Sequence, residues 1–162
     1  LALFSHQGYR ATSMREIADR AGVSTGNVYH HFKDKEAIFL GLLDVYWQAI
    51  ADPVAMVRWH LAMVFGHLAG FDETVDPSSR TLEKLLHDPS ATVRSWALTS
   101  LCIIGRLSPN RSPRITRQIS ALTRDPSAAV RRRADRALKT LTDPGLPFPK
   151  GWAKGKKVLG EI

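Results

Sequence analysis

Apolar residues recur every three or four positions through nearly the whole chain, and no stretch alternates apolar and polar at a period of two. That pattern predicts helices throughout, an all-α fold, with Pro and Gly as punctuation. Leu1–Gln7 reads as the tail of a helix stopped at Gly8. In "TSMREIADRAG", Ser13 is placed to cap a helix, and Glu16 completes a capping box three residues on. Ile17 and Ala21 are expected to face inward, and Gly22 to end the helix. Val23 reads as a buried pivot. Ser24 then caps a short helix from about Thr25 to His31, with Val28 and Phe32 turned to the core. Thr25, Asn27, His30 and His31 are left outward, with Tyr29 on the flank. Asp34 caps a longer helix, "KEAIFLGLLDVYWQAI". Helix, Gly-containing turn and second short helix are the parts of a helix-turn-helix.

From Asp52 the pattern changes. "DPVAMVR" begins there, "DPSATVR" at Asp88 and "DPSAAVR" at Asp125, so Asp-Pro-x-x-x-Val-Arg returns after 36 and then 37 residues. A repeat of that period predicts stacked helical hairpins. Asp as N-cap and Pro as first helical residue would make a strong helix start. From each Asp, apolar residues follow at +5, +9, +13 and +16: Val57, Leu61, Phe65 and Leu68; Val93, Ala97, Leu101 and Ile104; Val130, Ala134, Leu138 and Leu141. That is one helix face used three times. Partner helices are expected at Ser79–His87 and about Pro113–Thr123, with Lys35–Ile50 serving both segments. Arg58, Arg94 and Arg131 are expected to bridge to Asp52, Asp88 or Asp125 as a ladder. "DPGLPFPKGWAKGKKVLGEI", residues 143–162, reads as a basic flexible tail.

"LFSHQGYRATSMREIADRAGVSTGNVYHHFKDKEAIF", Leu3 to Phe39, resembles the DNA-binding domain of the tetracycline-repressor (TetR) family of transcription regulators. It combines a Phe-x-x-x-Gly-Tyr entry, an Ile-Ala-x-x-Ala-Gly-Val core and a Tyr-x-x-Phe-x-x-Lys exit in the family's order. The resemblance covers residues 1–47. Residues of about 48–142 look like HEAT repeats, whose second helix often opens with such an Asp-Pro and carries Val-Arg. The domains expected are therefore a helix-turn-helix unit at 1–50, a short HEAT-like α-solenoid at 51–142 with helix 35–50 shared, and the tail. The family's usual C-terminal domain, which binds small effectors and joins two subunits, has HEAT-like repeats in its place. Effector binding is not expected to carry over. The family's first helix is two or three turns longer than the residues before Gly8 supply.

A recognition helix presents its N-terminal residues to base edges in the major groove. Asn27 offers a donor and an acceptor together, which matches adenine's edge. His30 is next, with Thr25 and Gly26 at the helix start, where Gly permits close backbone approach. The resemblance implies phosphate contacts at Tyr29, His31 and Lys35. Arg15 is a further candidate, and an equally good partner for Asp19 four residues on. Backbone amides at the helix starts near Ser13 and Ser24 also favour phosphate. Bland readings stand beside these: Tyr29 as a packing residue, Lys35 as an ordinary surface lysine. His30 and His31 diverge by about 100° as helix neighbours, against a metal site.

The chain has 162 residues, 44% hydrophobic and 23% charged, as a globular protein does. Its formal charge of +8 favours negatively charged partners, nucleic acid first. Five basic and five acidic residues precede position 48, so the whole excess lies after it. Arg131, Arg132 and Arg133 are consecutive. Arg132, Arg136 and Lys139 form an outward stripe at i, i+4 and i+7, a candidate for extra phosphate contacts or a merely solvated face. Cys102, the only cysteine, sits in apolar "LTSLCIIG" and reads as inert core. No apolar run approaches the ~18 residues of a membrane span, and no signal-peptide pattern opens the chain, so the expected location is cytoplasmic. A nucleotide-binding Gly loop, a Cys pair and His-Glu-x-x-His are all missing, so neither an enzyme, a metal nor a cofactor is expected. The leading reading is a sequence-specific regulator that binds double-stranded DNA, with the repeats available for a protein partner or self-association. The alternative is a repeat scaffold whose helix-turn-helix is a non-functional cap.

Overall fold

The computed structural model describes residues 11–68, 72–149 and Trp152. Every regular element among them is helical. They divide into two compact units, one ending at Gln48 and the other beginning at Ala49. The expected helix before Gly8 lies outside the described residues.

The first unit holds α1 (Met14–Ala21), α2 (Thr25–His31) and α3 (Lys35–Gln48). The capping box at the start of α1 is present: the Glu16 amide donates to Ser13 Oγ at 3.2 Å, and the Ser13 amide donates to Glu16 Oε2 at 2.7 Å. Gly22 closes α1 with φ 69, a left-handed conformation that suits glycine. There Gly22 N–H donates to the Asp19 carbonyl and Val23 N–H to that of Ala18, a Schellman closure. Ser24 Oγ accepts from the Asn27 amide at 3.1 Å to start α2, and Asp34 Oδ1 from the Ala37 amide at 2.8 Å to start α3.

The core of this unit differs from the expected one. Ala18 and Val28 are buried, while Ile17 is half-buried and Ala21 exposed. Ala21 lies on the last turn of α1, where the Schellman closure turns the chain away. Val23 is 40% exposed, because it follows that turn on its open side. Phe32 is 38% exposed: it lies past the end of α2 in extended backbone, with its ring edge toward Gly41 of α3. Val28 alone of the three expected anchors is buried.

The second unit opens with a 3₁₀ turn, Ala49–Ala51, and continues with α4 (Ala55–His67), α5 (Asp72–Leu85), α6 (Ala91–Leu107), α7 (Ser112–Ala121), a 3₁₀ turn at Leu122–Arg124, and α8 (Ala128–Thr142). Helices α4, α6 and α8 pack side by side in that order, and α5 and α7 flank them. Most of the repeated apolar face is core: Leu61, Phe65, Leu68, Val93, Ala97, Leu101, Ile104, Val130 and Ala134 are buried, while Val57, Leu138 and Leu141 are half-buried. Helix α4 meets α6 closely enough that a Cβ on Gly66 would lie 2.9 Å from the Ser100 Cα. Ser100 Oγ meanwhile donates to the Ala62 carbonyl at 2.6 Å. The partner helix α5 starts at Asp72 rather than Ser79 and carries Pro77 inside it. Val75 and Leu82 of this helix are buried, and Pro77 has no amide to donate to the helix ladder.

Asp52, Asp88 and Asp125 are not N-caps, and their prolines are not the first helical residues. The helices begin three residues after each Asp. Each Asp side chain instead accepts the amide two residues on, Val54 at 2.7 Å, Ser90 at 2.8 Å and Ser127 at 2.8 Å. This Asx turn leaves the Asp and Pro carbonyls free. The arginine of the same motif then donates Nη1 to both. Arg94 does so at 2.8 and 3.0 Å, and Arg58 and Arg131 repeat it. Arg58 and Arg94 turn their remaining fork onto the next motif's carboxylate: Arg58 to Asp88 at 2.6 and 3.0 Å, Arg94 to Asp125 at 2.8 Å twice. The ladder holds for Arg58 and Arg94 and runs forward from one repeat to the next, whereas among the described residues Arg131 bridges no carboxylate and the Asp52 carboxylate receives no arginine.

The start of the expected flexible tail is anchored. Arg106 donates to the carbonyls of Thr140, Asp143, Pro144 and Leu146, and its guanidinium lies 5.2 Å from the Phe148 ring centroid. Trp152 is 4% exposed. Residues 150, 151 and 153–162 lie outside the described residues.

Candidate nucleic-acid interface

Two caps and one turn fix α2. Ser24 holds its first turn, Phe32 N–H closes its end on the Val28 carbonyl at 2.9 Å, and Val28 pins its inner side. In this helix of 7 residues Val28 is the only buried residue, which leaves most of its surface open to solvent. Gly26, Asn27, Tyr29, His30 and His31 are all exposed, as is Ser24, and Thr25 is half-buried. Tyr29 keeps 54% of its surface open, against a purely packing role. A Cβ on Gly26 would meet nothing nearer than Ser24 Oγ at 4.0 Å, so nothing in the fold requires glycine there.

The other expected contacts surround this helix in sequence and are less uniform. Arg15 on α1 is exposed and, among the described residues, makes no ion pair with Asp19. Lys35, at the start of α3, is half-buried. The rings of His30 and His31 meet edge to face with centroids 5.0 Å apart. Among the described residues no group of histidine, cysteine and carboxylate side chains is arranged to hold a metal ion. None of the described helices is long and apolar enough to cross a membrane.

A solvent-facing helix start bearing Thr, Gly and Asn, flanked by Tyr and His, can place hydrogen-bonding groups at base edges and phosphates together. Residues 1–42 match the family model described as bacterial regulatory proteins, tetR family. The chain is similar to the HTH-type transcriptional regulator AcrR of Shigella flexneri, 41% identical over 70 residues, which is 36% of this chain and 33% of that protein. It is similar to the HTH-type transcriptional repressor KstR2 of Rhodococcus jostii, 50% identical over 46 residues, 26% of this chain and 22% of that one. It is also similar to the HTH-type transcriptional regulator QacR of Staphylococcus aureus, 46% identical over 43 residues, 26% of this chain and 23% of that one. These relatives are named as regulators, none as an enzyme. The chain spans about a third or less of the length of these curated relatives. No solved structure matches the chain.

In the second unit Arg132, Arg136 and Lys139 are exposed, as the stripe requires. Arg132 and Arg136 also line a cleft with Arg133, while Lys139 does not. The position missed in the sequence is Arg133. It lies at the same offset from Asp125 as Trp96 does from Asp88, and that equivalence was available as the signal that the two would meet.

Proposed function

We propose that the protein is a sequence-specific transcriptional regulator of TetR-like type, in which α2 enters the major groove of double-stranded DNA. Asn27 reads an adenine edge, with His30, Thr25 and the Gly26 backbone beside it. Tyr29, His31, Lys35 and Arg15 hold phosphates, helped by the amides that follow Ser13 and Ser24. The second unit is a HEAT-like array in place of an effector domain. It is a surface for a protein partner or a second copy, and Arg132, Arg136 and Lys139 add phosphate contacts. Such a protein works in the cytoplasm.

The observation that carries this reading is the exposure of Asn27, Tyr29, His30 and His31 on a short helix anchored by Val28. Match of residues 1–42 to a family of regulatory proteins supports it. The test is selection of bound duplexes from a random DNA pool by the full chain. Enrichment of a defined sequence is expected; a pool that stays random after repeated rounds overturns the reading.

A further inference from the structure

The cleft beside α8 contains a cation that no described carboxylate neutralises. The Arg133 guanidinium lies 5.5 Å from the ring centroid of Trp96 and 5.5 Å from that of Trp152. Its Nη1 donates to Thr99 Oγ1 at 3.0 Å. Two π faces and a neutral hydroxyl thus hold the group in place. Among the described residues no carboxylate pairs with it, whereas Arg58 and Arg94 each grip one. Burial, and then the charge of Arg136, hold its pKa below the usual arginine value, though it stays charged. Arg132 and Arg136 share the rim of the same cleft, of about 250 Å³, with Ser95 and Ala129.

Three arginines line this cleft with no described carboxylate among its lining, so an anion that joins them relieves their mutual repulsion. The shape of the anion follows from the ladder. There one guanidinium fork satisfies the two coplanar oxygens of a carboxylate, as Arg94 does at Asp125. Three guanidinium groups around one cleft suit a tetrahedral phosphate better. Trp152 is 4% exposed, so its ring positions Arg133 and is not free to stack on a base. Recognition here is by charge and geometry.

We propose that the Arg132–Arg133–Arg136 cleft binds one phosphodiester of a DNA backbone without regard to base sequence. This rests on the reading of the protein as DNA-binding and deepens its phosphate contact at Arg132 and Arg136, bringing in Arg133 and making the contact independent of base sequence. The test uses the full chain carrying Asn27→Ala and Tyr29→Ala, so that base reading is removed. Its affinity for a random-sequence duplex is followed against salt, with and without Arg132→Ala and Arg136→Ala. The starting chain is expected to bind in a salt-sensitive way. Loss of the two arginines should lower the log–log salt slope by about one unit and weaken binding about tenfold at low salt. Arg117→Ala with Arg124→Ala, an equal loss of exposed charge, should leave the slope unchanged, and thermal melting should hold in all variants. No binding by the starting chain, or a slope indifferent to Arg132 and Arg136, overturns the proposal. So does poly-glutamate or inorganic phosphate binding as tightly as the duplex, because an acidic chain or a free anion is then the ligand. A wild-type chain that selects no sequence yet keeps the arginine-dependent slope overturns the role of α2 and supports the cleft.

Discussion

At Gly26 the demands of the fold and of the proposed DNA contact separate. The space beside it is open, and alanine is favoured over glycine in a helix by about 1 kcal/mol. Gly26→Ala should therefore raise the melting temperature or leave it unchanged, while an added methyl group at the DNA surface weakens binding. Calorimetry and a DNA titration on the same sample check this, and full binding by the variant would remove Gly26 from the interface. Cys102 is the opposite case. It is fully buried, and burial pushes its thiol up to about 12, with only slight opposition from Arg106. A thiol reagent should leave the native protein unlabelled and react only when the chain is unfolded, which mass spectrometry reads directly. The outward Asn27, His30 and His31 of α2 and the burial of Cys102 were legible in the sequence, because a cap plus helical spacing decides which way a side chain points, while Thr25, expected outward, is half-buried. The anchoring of α2 was less legible. Val23 and Phe32 lie beyond the helix ends, where periodicity no longer governs their direction.

At the scale of elements, the Asp-Pro-x-x-x-Val-Arg motif is the unit that holds one repeat to the next. Arg94 Nε donates to Asp125 Oδ2 at 2.8 Å, with both side chains largely covered. That hydrogen bond, against the opposing effect of burial, draws the Asp125 carboxyl below its ordinary value of 3.8, and the Ser127 amide assists. A carboxyl with a lower pKa folded than unfolded stabilises the fold above the unfolded value, and the contribution is lost as pH falls through the folded one. For Asp88, burial pushes upward, but the hydrogen bonds of Arg58 and Ser90 and the charges of Arg58 and Arg94 leave it lowered as well. The melting temperature should accordingly fall as pH drops from about 5 toward about 2. Asp125→Asn should cost about 2 kcal/mol at neutral pH and flatten that acid limb. A melting curve identical to wild type at both pH values would mean that the ladder is not stabilising. The repeat period and its buried face were readable before the structure. The Asx turn was not, because Asp-Pro before a helix serves either as a cap or as a turn, and only the destination of the arginine decides between them.

Over the whole molecule, charge and architecture are divided in the same way. The described residues form one unit ending at Gln48 and another from Ala49, and in the full sequence the positive excess of +8 lies after position 48. The match to regulatory proteins covers residues 1–42, so the first unit carries the resemblance and the second the cations. In the proposed division of labour, base reading falls to α2 and sequence-independent attraction to the arginine-rich α8. The central claim is that α2 reads DNA. It is tested most directly by anisotropy titration of the full chain and its Asn27→Ala, Tyr29→Ala variant against a duplex chosen by selection and against a scrambled one. Wild type should prefer the selected duplex, and the variant should bind both alike, with a loss of about 1–3 kcal/mol or more on the selected one. A variant that keeps the full preference would contradict the account.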